Sequence, residues 1–143
     1  MKKLFIITDS YGTIIEARET KAQATKRANE LGDPAKGVFY TAQPANLFGI
    51  AIFGKRHTDK NGNTYNTTKT TLFFDSGKTA LVKTSKQYGY EDGYVQCAEK
   101  ALMVQGFFNP KENDSWRSLW LWCREYQVGY FSTFADVARE RDL

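Results

Sequence analysis

Apolar and polar positions first fall into short β-rich runs, at residues 4–8 and 13–17. Asp9-Ser10-Tyr11-Gly12 between them is turn chemistry, so 3–17 reads as a hairpin. The period then lengthens. Thr20 and Gln23 have the spacing of a capping box, and Ala24, Ala28 and Leu31 recur at helical spacing. Gly32 suits a left-handed C′ position and Pro34 blocks continuation, which predicts a helix over 21–31. Residues 38–43 read as a strand that Pro44-Ala45-Asn46 breaks. Three β-rich stretches follow at 48–58, 65–74 and 79–85. Asn61-Gly62 and Ser76-Gly77 lie in the linkers and supply the positive φ that tight hairpins need, which predicts an antiparallel meander.

Glu91 and Asp92 suit the positive end of a helix over 92–105, with Tyr94, Cys97, Ala98, Ala101 and Leu102 as its apolar stripe and Gly106 as its end. Residues 110–114 are polar and loop-like. Asp114 or Ser115 can cap a further helix, with Trp116, Leu119, Trp120 and Cys123 on one face and Trp122 pointing off it. A last strand is expected over 126–131, and Thr133 or Asp136 can cap a short terminal helix. The expectation is one α+β domain over 1–143: an antiparallel sheet, made of the N-terminal hairpin and the three-stranded meander, packed against two to four helices.

Centring the two meander turns on Asn61-Gly62 and Ser76-Gly77 pairs His57 with Asn66, Lys55 with Thr68, Leu72 with Leu81 and Thr70 with Lys83. One face then carries Ile50, Ile52, Thr71, Phe73, Ala80 and Val82 and should meet the helix at 92–105. The other carries Phe53, Lys55, His57, Asn66, Thr68, Thr70, Leu72, Leu81 and Lys83.

Composition changes this picture in three ways. Aromatics make up 15% of the 143 residues, enough for a short chain to build a core and still present rings to a partner. The net charge of +4 permits contact with phosphates or an acidic protein and argues against an acidic mimic of DNA. Cys97 and Cys123 have no C-x-x-C spacing and fall in apolar stripes, so they are expected as buried free thiols. The apolar run after Lys2-Lys3 stops after four residues, too short for a leader, and no stretch reaches membrane-spanning length. A cytosolic protein with no membrane partner is expected.

Candidate chemistry is sparse. His57 is the only histidine, which leaves no His-based metal site. Asp59 could orient its ring, but no nucleophile or oxyanion donor is marked, so no catalytic residue is assigned. Asp59-Lys60-Asn61-Gly62-Asn63 misses calcium-loop spacing: Gly62 is fourth rather than sixth, and Thr70 stands twelfth. Gly77-Lys78-Thr79 lacks the upstream glycine of a phosphate loop, because position 72 is Leu72. The expectation is a non-enzyme without metal or cofactor. The helix–strands–helix order is shared with double-stranded-RNA-binding domains, but their basic cluster would fall at 91–95, where Glu91 and Asp92 stand.

One segment carries a resemblance. Phe53-Gly54-Lys55-Arg56-His57-Thr58-Asp59-Lys60-Asn61-Gly62-Asn63-Thr64-Tyr65-Asn66-Thr67 is followed by Tyr88-Gly89-Tyr90-Glu91-Asp92-Gly93-Tyr94-Val95-Gln96-Cys97-Ala98. It resembles small proteins of bacteriophages and mobile elements in which a basic-aromatic strand enters a G-N-T-Y hairpin and Y-G-Y-x-x-x-Y opens a helix. Many such proteins carry Trp where this chain has His57 and His where it has Asn66. The resemblance implies provenance, a phage or prophage accessory protein acting in a bacterial cytosol; by analogy with small accessory proteins of that kind, it is expected to bind and modulate a host protein, one of anti-phage defence. The alternative is a nucleic-acid or nucleotide binder. On either reading the expected contact residues are Lys55, Arg56, His57, Tyr65, Lys83, Tyr88 and Tyr90, with Trp122 as an apolar anchor, in a monomer or small homo-oligomer.

Overall fold

Three hairpins share one loop design. Asp9 N–H donates to Thr13 O, Asp59 N–H to Asn63 O and Phe74 N–H to Lys78 O, so each closes a three-residue loop. The third loop residue is a glycine with positive φ: Gly12 (82°), Gly62 (82°) and Gly77 (85°). A turn followed by a left-handed residue produces this three-residue connection. The Asp59 carboxylate reinforces its loop by accepting from the N–H groups of Asn61 and Asn63.

The computed structural model describes residues 1–89, 93–112 and 115–143. Strands β1 (Lys2–Thr8) and β2 (Ile14–Arg18) form the first hairpin, and helix α1 (Lys21–Leu31) follows. The long strand β3 (Thr41–Thr58), β4 (Thr64–Phe74) and β5 (Thr79–Tyr88) form the meander, and α2 (Gly93–Val104) follows. A two-residue ladder, β6 (Lys111–Glu112) with β7 (Ser115–Trp116), precedes α3 (Leu119–Glu125), and β8 (Gly129–Asp136) is the last strand. The sheet order is β2-β1-β3-β4-β5, with β8 also on β3. The fold is α+β with a sheet that is antiparallel apart from β8, which runs parallel to β3 from Gly49↔Gly129 to Arg56↔Asp136.

Several expectations change. Pro44 does not break β3. It pairs with Phe5 where β1 is the only partner strand, so the missing N–H can face the open edge without cost to the ladder. Gly32 is extended (φ −74°, ψ 157°) rather than left-handed. Its value is space, since a Cβ there would lie 3.1 Å from Val38 O. Thr20 caps α1 as expected, its hydroxyl accepting from Gln23 N–H at 3.2 Å. The expected terminal helix is absent among the described residues: 133–136 stay in β8, and only a 3-10 turn, Glu140–Asp142, follows. The proposed acidic opening of α2 and the Asp114 cap fall on 91–92 and 114, outside the described residues.

The meander register is one residue away from that expected. The pairs are His57↔Tyr65, Lys55↔Thr67 and Phe53↔Lys69, then Lys69↔Lys83 and Leu72↔Ala80. Three-residue loops replace the assumed two-residue turns, and a one-residue slip turns a strand over. The second slip turns the chain back, so β3 and β5 keep their expected faces and β4 alone is inverted. Asn66, Thr68, Thr70 and Leu72 therefore lie buried, while Thr71 and Phe73 move to the opposite face.

On the inner face Leu4, Ile6, Ile50, Ile52, Leu72 and Val82 meet Ala98 and Leu102 of α2 and Leu119 and Trp122 near α3. On the outer face α1 covers β1, β2 and the first residues of β3, through Ile7, Ala24 and Ala28 with Ala42 packed against them. Beyond Gly49 that outer face has no helix among the described residues packed on it.

Candidate functional site: the open face of the meander

Partners across a ladder project to the same side of a sheet, so the register sets out the open face in rows. Phe131, Ala51, Thr71 and Leu81 form one row. Thr133, Phe53, Lys69 and Lys83 form the next. Ala135, Lys55 and Thr67 follow, and then His57, Tyr65 and Tyr88. Large apolar side chains lie bare here: Phe53 is 48% exposed, Phe131 54% and Leu81 47%. Beside them runs a groove of about 530 Å³, bordered by Phe53, Lys55, Lys69, Lys83, Thr133 and Leu143.

Lys55, Lys69 and Lys83 converge on this groove, and among the described residues none has an ion-pair partner. Adjacent strands are about 4.8 Å apart, so Lys69 and Lys83, directly opposite each other, repel. An anionic group placed between them removes that repulsion. The ammonium groups stay in solvent while their stems cross the apolar surface.

The expected contact residues divide on this frame. Lys55, His57, Tyr65, Lys83 and Tyr88 share the open face. Arg56 does not. It lies on the inner side, where its Nε donates to Asp136 Oδ1 at 3.1 Å and its guanidinium stacks 3.6 Å from the Phe134 ring centre. Its charge is thereby committed to tying β8 to β3. Tyr90 lies outside the described residues. Trp122 is corrected outright: at 1% exposure it is a core residue, edge-on to Phe108 and Tyr126 with ring centres 5.4 Å away in both cases. The reason is a later helix start. Ser118, not Asp114 or Ser115, caps α3, its hydroxyl accepting from Leu121 N–H at 3.4 Å. Trp116 falls in β7, and the inward stripe becomes Leu119, Trp122 and Cys123, leaving Trp116 and Trp120 exposed.

His57 Nδ1 lies 3.2 Å from the Val137 carbonyl oxygen. A carbonyl only accepts, so the imidazole donates from Nδ1. Asp59 is occupied by its own hairpin. Burial opposes ionisation there only in part, and the bond from Asn63 N–H, ahead of the others, holds its carboxyl below the usual range. His57 thus has a backbone acceptor, not a carboxylate, behind it. No group of three or more His, Cys, Asp or Glu side chains is arranged to hold a metal ion among the described residues. No helix among them is long and apolar enough to cross a membrane.

Two parts of the face were not read from sequence. The expected register puts Lys69, two residues before Thr71, on the side away from Lys55 and Lys83, and the observed slip reverses it. Phe131 was assigned to a strand without a partner, and nothing in 126–131 alone announces parallel pairing with β3. Comparison of the chain with protein-family models, with curated proteins and with solved structures finds no match.

Proposed function

We propose that this protein acts by binding, and that the open face of β3, β4, β5 and β8 docks an acidic patch on a partner protein. The observation that carries this reading is the set of unpaired Lys55, Lys69 and Lys83 beside bare Phe53, Phe131 and Leu81. Burying one such side chain is worth about 1.5–3 kcal/mol, and exposed apolar clusters rimmed by charge mark interaction surfaces. The ring geometry favours protein over nucleic acid. Phe53 and Phe131 tilt against each other at 5.8 Å and 56°, and Tyr65 and Tyr88 meet edge to face at 5.7 Å, so these rings already have aromatic neighbours. Leu81 offers nothing to a base. The phage-like hairpin and helix-opening motif supports an accessory role in which the partner is a host protein, of anti-phage defence, modulated by occlusion of its surface.

The test is calorimetry with a partner captured from bacterial lysate. Reversing the three lysines, Lys55→Glu, Lys69→Glu and Lys83→Glu, is expected to weaken binding at least about tenfold, roughly 1.4 kcal/mol, with the circular dichroism spectrum unchanged. Full retained affinity moves the site elsewhere. A steep linear fall of log affinity with log salt assigns the face to nucleic acid instead.

A further inference from the structure

The groove is not empty of this chain's own residues. After β8 the segment from Val137 onward leaves the sheet edge at Arg56, where Val137 N–H donates to Arg56 O at 2.7 Å. It reaches Lys86 on β5, which pairs with Glu140. It therefore crosses the ends of β3 and β4 beside the Tyr65 ring, which Lys86 Nζ also approaches at 4.8 Å. Leu143 then comes back to line the groove with Lys55, Lys69 and Lys83. The crossing is held lightly. Ala138, Arg139, Glu140 and Arg141 are exposed. The inner bonds of the 3-10 turn, Asp142 N–H to Arg139 O and Leu143 N–H to Glu140 O, do not attach it to the sheet. The ion pair with Lys86 is exposed on both sides, and exposed pairs add little.

We propose that residues 138–143 are a resident strap that imitates the partner, and that the groove takes an acidic segment that turns as the strap does, with a carboxylate three residues before an aliphatic residue. This rests on the docking reading above. Glu140 on a lysine and Leu143 in the groove show the pairing of acid and aliphatic group that the surface accommodates. Among the described residues Lys55, Lys69 and Lys83 form no ion pair with the strap in place, so a more acidic segment satisfies the groove better than the strap does. Binding then proceeds by displacement, and the strap lowers the apparent affinity by the fraction of molecules in which it is closed.

The probe is a fluorescent peptide of alternating Glu and Leu, followed by anisotropy with the full chain. Leu143→Ser leaves the net charge unchanged and unseats the strap, so it is expected to bind at least about fivefold more tightly than the wild type. The charge swap Lys86→Glu with Glu140→Lys keeps both the pair and the net charge but removes the cation that the incoming carboxylate meets, and is expected to bind the peptide more weakly than the wild type. Adding Lys55→Glu and Lys83→Glu to Leu143→Ser should abolish the gain. Equal affinity of Leu143→Ser and wild type, with lysine reversal still weakening both, overturns the strap and leaves the docking face standing. No effect of lysine reversal, or no peptide binding by any variant, overturns both. Tighter binding of a single-stranded oligonucleotide than of the peptide overturns the acidic-segment assignment.

Discussion

Gly54 lies against the ring of Tyr94: a Cβ built on Gly54 would fall 2.6 Å from Tyr94 Cδ2 and 2.8 Å from Cγ. The contact joins β3 to the first turn of α2. It continues outward, since Tyr94 meets Phe134 of β8 at 5.6 Å and the Arg56 guanidinium lies 3.6 Å from that ring's centre. Packing below the sheet therefore fixes β8, whose next residues border the groove. Gly54→Ala should cost about 1–3 kcal/mol, the usual effect of overfilling a packed site. The midpoint of urea unfolding measures it. An unchanged midpoint would show that α2 lifts freely and does not hold β8.

The tryptophans provide a second contrast. Trp122→Ala opens a cavity among Phe108, Tyr126 and Leu119 and is expected to cost about 3–5 kcal/mol. Trp120 is 51% exposed with Arg124 over its ring, and Trp120→Ala should stay within about 0.5 kcal/mol, as surface changes do. Denaturant titration of the two variants decides. Equal losses would mean that α3 is rotated from the orientation described.

These cases show which features of the fold were legible and why. Elements with strong local signals were readable: the hairpin at 3–17, α1 behind its Thr20 cap, and α2 with its Tyr94, Cys97, Ala98 and Leu102 stripe. Register was not, because Asn61-Gly62 fits both a two-residue and a three-residue loop, and only the Asp59–Asn63 closure separates them. Half of the candidate face survived, since two slips cancel at β5 and leave Lys55 and Lys83 on one side. Lys69 was lost with β4. Pro44 as a strand breaker and Thr133 or Asp136 as helix caps fail for a tertiary reason, because pairing with β1 and with β3 overrides them, while the strand expected over 126–131 is present from Gly129. Trp122 failed because sliding a helix start by three or four residues exchanges which tryptophans face inward.

Thiol chemistry gives a third test. Cys97 and Cys123 are both buried and free. Burial, with the Glu99 carboxylate adding to it, pushes the Cys123 thiol up to about 12. At pH 8 roughly one Cys123 thiol in ten thousand is then ionised, and thiolate is the reactive form. Native protein should label slowly with an aromatic disulfide reagent, and both thiols should label at once in denaturant. Rapid native labelling of Cys123 would contradict the packing of α3.

Glu99 itself carries a pH signature. Burial raises its carboxyl above the ordinary value of 4.5, and the hydrogen bond from Leu119 N–H, at 3.1 Å, offsets this only in part. The folded state therefore holds this proton to higher pH than the unfolded chain does. Between 4.5 and the folded value the native state binds more protons, so the contribution of Glu99 to stability falls as pH rises through that window. Glu16 behaves oppositely. Burial also pushes it up, but the bonds from Arg27 and Arg18 outweigh that, so its stabilisation is present above 4.5 and is lost as pH falls through its folded value. Glu99→Gln keeps an oxygen that can accept from Leu119 N–H and removes the buried charge. The variant should match the wild type below pH 4.5 and become progressively more stable than it above, reaching a constant advantage once Glu99 is fully ionised. Glu16→Gln should be less stable than the wild type above 4.5, and that deficit should shrink away as pH falls through the lower, folded value of Glu16. Unfolding curves measured from pH 3 to 8 separate the two, and a Glu99→Gln difference that does not vary with pH would show that its carboxylate pays no burial cost at the start of α3.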